Sequence, residues 1–256
     1  MPTVRLDNAV IEFLAEGAGD PVVLIPGLGL DASYFADLSR RLARAGFRAI
    51  AVNPRGAGAS TGSSDGLTLH TLAADVAAVV DSLPVRPVHL VGHGFGNRVA
   101  RCLFTDRPEL VQSVILLGGT GDFEPTAEVV HALRSWARPD ATESECLDYV
   151  RFAVADPSAA RRILGVSTRW PAVAVAQSAA SRAMLPTDLR WDTSRAPILV
   201  VQGLADPISP PHLGHTLRDQ LGEQVRVADI PDAGHMIFLE QPDAVAEAMI
   251  SFLREH

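Results

Sequence analysis

Continuous apolar runs alternate with helical patterns along most of the 256-residue chain, and this alternation restricts its possible folds. Residues 21–26, 87–92 and 196–203 are almost entirely apolar, as in strands that are buried on both faces. Between such runs, apolar residues recur at helical spacing, most clearly over residues 69–83. The pattern predicts an α/β fold with a mostly parallel central sheet flanked by helices. With 47% hydrophobic residues, the chain can form one sizeable core.

Residues 120–194 interrupt this alternation, because they contain helical stretches punctuated by prolines and no strand-like run. A mainly helical insertion between two strands of such a sheet usually lies over the carboxyl ends of the strands, where ligands bind. We therefore predict a core of residues 1–119 and 195–256 and a helical cap, or lid, of residues 120–194. The alternative is a structural insertion without a catalytic role.

The charged residues exclude several classes of function. The net charge is −8 and no basic block interrupts the chain, so neither nucleic acid nor an anionic membrane is expected as a partner. All 22 basic residues are arginine, which excludes chemistry that needs a lysine: Schiff bases, pyridoxal phosphate and the phosphate-binding P-loop. We expect no cofactor.

The two cysteines, Cys102 and Cys146, are too few for a disulfide scaffold, and their spacing fits no metal motif. No run of about 18 apolar residues is present, and the first residues do not resemble a secretion signal. These observations predict a cytoplasmic protein without a metal site. They leave the oligomeric state open.

Residues 88–97 read Val-His-Leu-Val-Gly-His-Gly-Phe-Gly-Asn, an apolar strand followed by a Gly-x-Gly-x-Gly turn and then a helix. This segment resembles the nucleophile elbow, G-x-S-x-G, of the α/β-hydrolases, where flanking glycines permit a tight turn around a strained central residue. Gly94 stands at the apex, where that family has its nucleophilic serine. Glycine has no side chain with which to attack a substrate.

Other loops extend the resemblance to the whole chain except the cap. Residues 24–29 resemble the family's oxyanion-hole loop, which makes the backbone N–H groups of Leu28 and Phe95 the expected donors. Residues 53–60 resemble the D-x-R-G-x-G-x-S loop, with Asn53 in place of the aspartate. The resemblance predicts the α/β-hydrolase fold with a helical cap.

Two further loops match the family's acid and base. Asp206 ends a Gly-Leu-Ala-Asp segment after a predicted strand, and His235 ends an Asp-Ala-Gly-His segment after the last one. The order of elbow, acid and histidine is that of the family. The resemblance therefore implies a catalytic pair of His235 and Asp206. His93, inside the elbow, is interpreted as a packing residue.

Without a nucleophile at Gly94, the predicted site keeps a base, two oxyanion-hole donors and a space about the size of a hydroxymethyl group. His235 can then remove a proton next to a carbonyl, which leads to epimerisation, elimination or cyclisation, or it can activate a water for direct hydrolysis. The chain is similar in this respect to superfamily members that have lost the nucleophile, including lyases and the atypical peptide epimerase of bottromycin-type peptide biosynthesis.

Three other interpretations remain open. The chain can be a catalytically silent homologue that binds a ligand or partner in an inherited pocket, or an ordinary serine ester or lactone hydrolase altered at Gly94. A nucleotide-binding oxidoreductase is suggested by Gly27-x-Gly29-x-x-Ala32, but Asn53 stands where that fingerprint needs an acidic residue.

The substrate is expected to be a moderately hydrophobic small molecule or peptide. Aromatic residues of the predicted cap are the candidates for binding it, namely Phe123, Trp136 and Trp170.

Overall fold

The computed structural model describes residues 1–119 and 125–256 of the chain. Strands in this part of the chain are β1 (Thr3–Arg5), β2 (Ala9–Glu16), β3 (Pro21–Ile25), β4 (Arg48–Val52), β5 (Thr61–Gly62), β6 (Val88–His93), β7 (Val111–Leu117), β8 (Ile198–Gly203) and β9 (Val225–Ile230). The α-helices described are α1 (Ala36–Arg44), α2 (Leu69–Asp81), α3 (Phe95–Asp106), α4 (Ala127–Ala137), α5 (Glu143–Ala153), α6 (Ala160–Gly165), α7 (Pro171–Ala183), α8 (His212–Leu221), α9 (Ile237–Glu240) and α10 (Pro242–Leu253).

The strands form one mixed sheet in the order β1-β2-β4-β3-β6-β7-β8-β9, with β5 paired to β2. β2 pairs antiparallel with β1, β4 and β5, and every pair from β4 through β9 is parallel. Parallel neighbours need crossover connections, which the helices between the strands provide. The predicted α/β-hydrolase fold, with its mostly parallel sheet, is confirmed.

Both faces of the sheet are covered. In β3, Val22 and Leu24 contribute to the core on one face, with α1 and α10, while Val23 and Ile25 contribute to the core on the other face, with α2 and α3. This division follows from the two-residue period of a strand, which sends successive side chains to opposite faces. The continuous apolar strands of the sequence are therefore buried on both sides.

The helices α4, α5, α6 and α7 lie between β7 and β8 in the sequence, and no strand element is assigned in residues 125–197. Local signals explain where two of them begin. The Thr142 side chain accepts from the Glu145 N–H while the Glu145 carboxylate accepts from the Thr142 N–H, a capping box that starts α5. Pro171 occupies the first turn of α7, where its missing N–H costs nothing. The boundaries of the cap as a separate unit remain a prediction.

The structure differs from the predicted elements in small ways. The helical pattern over residues 32–45 corresponds to a 3₁₀ turn, Ala32–Phe35, followed by α1. The Asp31 carboxylate accepts from the Ser33 N–H where this turn begins. The short elements β5 and α9 lack a periodic signal and were not predicted. Within the residues that the structure describes, no helix combines the length and the apolar character needed to cross a membrane.

Candidate active site

The junction between β6 and α3 has space only for glycine at positions 92 and 96. A Cβ atom on Gly92 would lie 2.6 Å from the Asn97 nitrogen, and one on Gly96 would lie 2.2 Å from the Ile25 oxygen. Real side chains do not make such contacts with backbone, so both glycines are needed for β3, β6 and α3 to approach this closely. The turn therefore has the tight geometry that its sequence predicted.

Gly94 stands at the apex of this turn with φ 53° and ψ −109°, a conformation that strains residues with a side chain. A Cβ atom here would lie 3.0 Å from Nε2 and 3.6 Å from Cε1 of His235. The imidazole of His235 therefore faces the apex directly. An atom bound above Gly94 comes within hydrogen-bond distance of its Nε2.

His235 and Asp206 form a buried pair, 6% and 4% exposed, in which His235 Nδ1 lies 2.9 Å from Asp206 Oδ2. The other carboxylate oxygen of Asp206 accepts from the backbone N–H groups of Ile208 and Ser209, at 2.8 and 2.9 Å. These bonds fix the carboxylate, which in turn orients the ring. When Nδ1 donates to Asp206, Nε2 is left as an acceptor towards the apex.

The two expected oxyanion-hole donors lie beside the apex. Leu28 and Phe95 both line the cavity above Gly94, and within the described chain neither backbone N–H has an acceptor. The neighbours of Leu28 are satisfied, since the Gly27 N–H donates to the Tyr34 hydroxyl and the Gly29 N–H to the Gln177 side chain, both at 2.8 Å. Within this loop, the Leu28 N–H is thus the one left without an acceptor among the described residues.

Phe95 is the first residue of α3, and a helix N-terminus favours negative charge. Its N–H and that of Leu28 together can stabilise an oxygen on which negative charge develops. The structure therefore brings four predicted residues together around Gly94: His235, Asp206, Leu28 and Phe95.

His93 connects these parts in a way that the sequence did not show. Its Nδ1 lies 2.9 Å from the Tyr34 hydroxyl, and its Nε2 lies 2.9 Å from the backbone oxygen of His235. The His235 carbonyl can only accept, so His93 Nε2 donates to it; Nδ1 of the neutral ring then accepts from the Tyr34 hydroxyl, which itself accepts from the Gly27 N–H. Burial, with His235 close by, lowers the pKa of His93 to about 3, which keeps the ring neutral. His93 joins the oxyanion-hole loop to the histidine loop.

A cavity of about 760 Å³ opens above Gly94. Its wall includes apolar residues of the cap, such as Val130, Leu133 and Trp136. Arginine residues are the other main feature of the wall, namely Arg98, Arg134, Arg138 and Arg182. No carboxylate lines the cavity among the residues that the structure describes. The cavity is therefore lined by apolar residues and by arginines, in a chain whose net charge is negative.

The three aromatic residues predicted to bind substrate have different positions. Trp136 lines the cavity, and its indole N–H donates to the Leu28 backbone oxygen at 2.8 Å. Trp170 is not among the residues that line the cavity, and its indole N–H donates to Asp31 at 2.9 Å, at the start of α7, so its role in substrate binding stays a prediction. Phe123 lies outside the described residues.

Two further residues lie at the site: Tyr149, a cap aromatic residue that the sequence offered as a possible pocket residue, and Glu240, which was not predicted. Tyr149 lines the cavity with its ring stacked on Trp136, at a centroid distance of 4.7 Å. Glu240 accepts from the backbone N–H groups of Gly234, at 3.0 Å, and Ala155, at 2.7 Å, and burial raises its pKa. No local motif marks Glu240, because it accepts from two segments that are distant from it in sequence.

Comparison with known proteins gives consistent matches over the chain. The model of the alpha/beta hydrolase family matches residues 22–248. A Mycobacterium tuberculosis protein that bears the name non-heme bromoperoxidase BpoC is 30% identical over 249 residues, 92% of this chain and 94% of that protein. Rhodomycin D methylesterase DnrP of Streptomyces peucetius is 28% identical over an alignment of 301 residues, which covers 99% of each.

Solved structures show the same similarity. A thermophilic esterase from Thermogutta terrifontis superposes with a TM-score of 0.84 at 25% identity, covering 100% of this chain and 99% of that chain. The structure of the mycobacterial BpoC protein superposes with a TM-score of 0.79 at 27% identity, covering 96% of both chains.

Proposed function

Because the chain belongs to the alpha/beta hydrolase family, we propose that it is an enzyme of this family that acts on a carbonyl compound without a covalent intermediate. His235 is the base, Asp206 orients it, and the N–H groups of Leu28 and Phe95 stabilise the charged oxygen. The observation that carries the proposal is the 3.0 Å between His235 Nε2 and the Cβ position of Gly94, a residue without a side chain.

In the first form of the reaction, His235 Nε2 takes a proton from the carbon next to the substrate carbonyl. The electron pair of the C–H bond moves towards the carbonyl oxygen, and the resulting enolate oxygen accepts from the Leu28 and Phe95 N–H groups. Inversion requires that a solvent water protonate the opposite face of the carbon while protonated His235 gives its proton to solvent. Loss of a leaving group from the next carbon gives elimination instead. The proposed likeness to the bottromycin-type peptide epimerase belongs to this form.

In the second form, a water occupies the space above Gly94. His235 Nε2 takes a proton from it as its oxygen attacks the carbonyl, and the protonated ring then returns that proton to the leaving group. The methylesterase and esterase names among the relatives support this form, since those names describe hydrolysis at a carbonyl. Both forms use the same base and the same two donors.

The wall of the cavity favours a substrate that carries an anionic group beside its apolar part. Arg134 and Arg182 line the cavity, and neither has an ion pair or hydrogen bond with another described residue. Arg138, by contrast, pairs with Asp140 and Glu145. Two unpaired guanidinium groups can bind a carboxylate or phosphate through paired N–H donors. We therefore propose a moderately hydrophobic carbonyl compound with one such group.

Monoesters of 2-alkylsuccinic acids have this chemistry and test the proposal in D₂O. Deuterium at the carbon next to the ester carbonyl indicates the first form, and release of the alcohol, with ¹⁸O from labelled water in the acid, indicates the second. His235→Gln should reduce either rate by roughly 10²- to 10⁴-fold. His212→Gln, on the exposed part of α8, is the matched control. Unchanged turnover in His235→Gln, or an acyl adduct on the enzyme by mass spectrometry, would overturn the proposal.

A further inference from the structure

A second group of chemically active side chains lies on α2 and α3, and none of its members lines the cavity. It consists of His70, Cys102 and Asp106, whose ligand atoms all lie within 4.8 Å of one another. We propose that these three side chains bind a zinc-class divalent cation. This site is independent of the proposed function.

The distances between the three ligand atoms carry the proposal. Cys102 Sγ lies 3.5 Å from His70 Nδ1 and 3.7 Å from Asp106 Oδ2, and His70 Nδ1 lies 2.7 Å from Asp106 Oδ2. With Zn–S about 2.3 Å and Zn–N or Zn–O about 2.0–2.2 Å, two ligand atoms of a tetrahedral site are roughly 3.3–3.6 Å apart. The sulfur has this spacing from His70 Nδ1 and lies only about 0.1 Å beyond it from Asp106 Oδ2.

Only the nitrogen–oxygen pair is closer than a bound metal requires, by roughly 0.6 Å on the same tetrahedral geometry. His70 and Asp106 have side chains that are 50% and 32% exposed, so a small side-chain rotation can open this distance. An ion pair between the two explains their short contact. A hydrogen bond from the Cys102 thiol to Asp106 accounts for the third contact when no cation is bound. With a cation bound, the same three atoms form one face of its coordination tetrahedron.

All three ligands lie on two α-helices that pack against each other. Cys102 and Asp106 are separated by four residues and therefore share one face of α3. His70 is in the first turn of α2, which packs against α3. Cys102 is buried, while half of the His70 side chain is exposed, so a cation can enter from the solvent side. A water can complete four-coordination there.

Asp188 supplies a second carboxylate to the group. Its Oδ1 lies 3.3 Å from His70 Nε2, and its Oδ2 accepts from the Leu185 N–H at 2.9 Å, which fixes its position. A carboxylate that holds one nitrogen of a histidine as N–H leaves the other nitrogen for a metal, a common arrangement around zinc. The combination of sulfur, nitrogen and oxygen ligands favours Zn²⁺ or Co²⁺ over Mg²⁺ and Ca²⁺, which prefer oxygen.

Titration of the chelator-treated full-length protein with Co²⁺ tests the site. We expect one equivalent to bind and to give the near-ultraviolet charge-transfer band of a cobalt–thiolate bond, and Zn²⁺ to remove that band while excess Mg²⁺ does not. Cys102→Ser should lose the band. Cys146→Ser is the matched control, because it removes the other buried cysteine and should keep the band.

Cys102 is buried and Cys102→Ser can misfold, so two variants of more exposed ligands provide an independent test. His70→Gln and Asp106→Asn should fold and weaken Co²⁺ binding by at least tenfold, as removal of a ligand does. Zn²⁺ should also raise the Tm of the native protein more than that of either variant. Absence of the thiolate band in the native protein, or a band that persists in Cys102→Ser, would overturn the proposal and leave an ion pair.

Discussion

His235 Nε2 lies 3.0 Å from the position of a Cβ atom on Gly94, nearer than most side chains approach a Cβ. A serine at this position therefore requires the imidazole to move by a few tenths of an ångström, in addition to the strain of a positive φ. We expect Gly94→Ser and Gly94→Ala to fold and to lose about 1–2 kcal/mol of unfolding free energy. Urea denaturation measures this loss.

Gly66→Ala is the matched control for that experiment. Gly66 also has a positive φ of 65°, but a Cβ there meets no atom within 4 Å. Its loss of stability reports the cost of a positive φ without a steric contact, so the excess loss at Gly94 reports the contact with His235 together with the strain of ψ −109°. A Gly94→Ser protein more stable than the native one would contradict the described geometry.

Asp206→Asn tests how far the carboxylate orients the base. An amide presents both a donor and an acceptor to His235 Nδ1, so the ring is no longer held with Nε2 as the acceptor. We expect turnover of the succinate monoesters to fall on the order of 10²- to 10⁴-fold, with little change in KM. Asp229→Asn is the control, since Asp229 contacts the half-exposed His215 on α8, outside the cavity. A loss confined to KM would argue against an orienting role.

Tyr34→Phe should disturb the connection between the oxyanion-hole loop and the histidine loop. The variant leaves the Gly27 N–H and His93 Nδ1 without their buried partner, which costs about 1–3 kcal/mol per unsatisfied group. Tyr149→Phe is the matched control, because the Tyr149 hydroxyl has no hydrogen bond to any described residue. Thermal unfolding should show a larger decrease in Tm for Tyr34→Phe than for Tyr149→Phe. An equal decrease in Tm would show that the Tyr34 hydroxyl has no special role.

Arg134→Gln and Arg182→Gln test the anionic group of the substrate. If both guanidinium groups bind a carboxylate, each change should raise KM for succinate monoesters about tenfold, as loss of a charged hydrogen bond does, and leave kcat nearly unchanged. Diesters, which lack the carboxylate, should be unaffected. Arg44→Gln, an exposed change on α1, is the control. Equal effects on monoesters and diesters would exclude charge recognition.

Stability should fall as the solution is made acidic because two buried histidines resist protonation. Burial lowers the pKa of His89 to about 4 and of His93 to about 3, against about 6.5 in the unfolded chain. At a pH between the folded and unfolded pKa of such a histidine, the unfolded state binds more protons than the folded state. Each histidine therefore adds to the unfolding free energy above pH 6.5, and this contribution is lost as the pH falls towards its folded pKa. Burial raises the pKa values of Asp75 and Glu240, so these two residues make the folded state relatively more stable as the pH falls.

Urea denaturation at pH 7 and pH 4.5 measures that dependence. We expect the unfolding free energy to fall by about 1–3 kcal/mol per histidine. In His89→Gln, which keeps a polar partner for Ser113 but does not titrate, the dependence on pH should be weaker. An equal dependence in the two proteins would assign the effect to other groups.

Local motifs made most of the site predictable. The elbow around Gly94 and the loops that end at Asp206 and His235 each follow a strand directly, so their residue types can be read from short segments. Contacts between distant segments could not be predicted this way. Trp170 was assigned to the cavity from its residue type alone, and its bond to Asp31 depends on how α7 packs.

The hydrogen bonds of His93 and the proposed cation site also could not be predicted from local motifs. His93 is adjacent to Gly94, yet its partners Tyr34 and the His235 carbonyl come from two other loops. His70 and Cys102 are 32 residues apart on different helices, so no spacing motif links them. The expectation of no metal site rested on sequence spacing, which detects only ligands that lie close together along the chain.

The cap is bonded to the two loops that carry the proposed chemistry. The His235 N–H donates to the Ala153 oxygen at 2.6 Å, and the indole of Trp136 donates to the Leu28 oxygen at 2.8 Å. Exchange of the cap for that of a relative would remove supports of the base and of the oxyanion-hole loop together. Under the proposed function, a graft of the cap should therefore change substrate choice and reaction rate together.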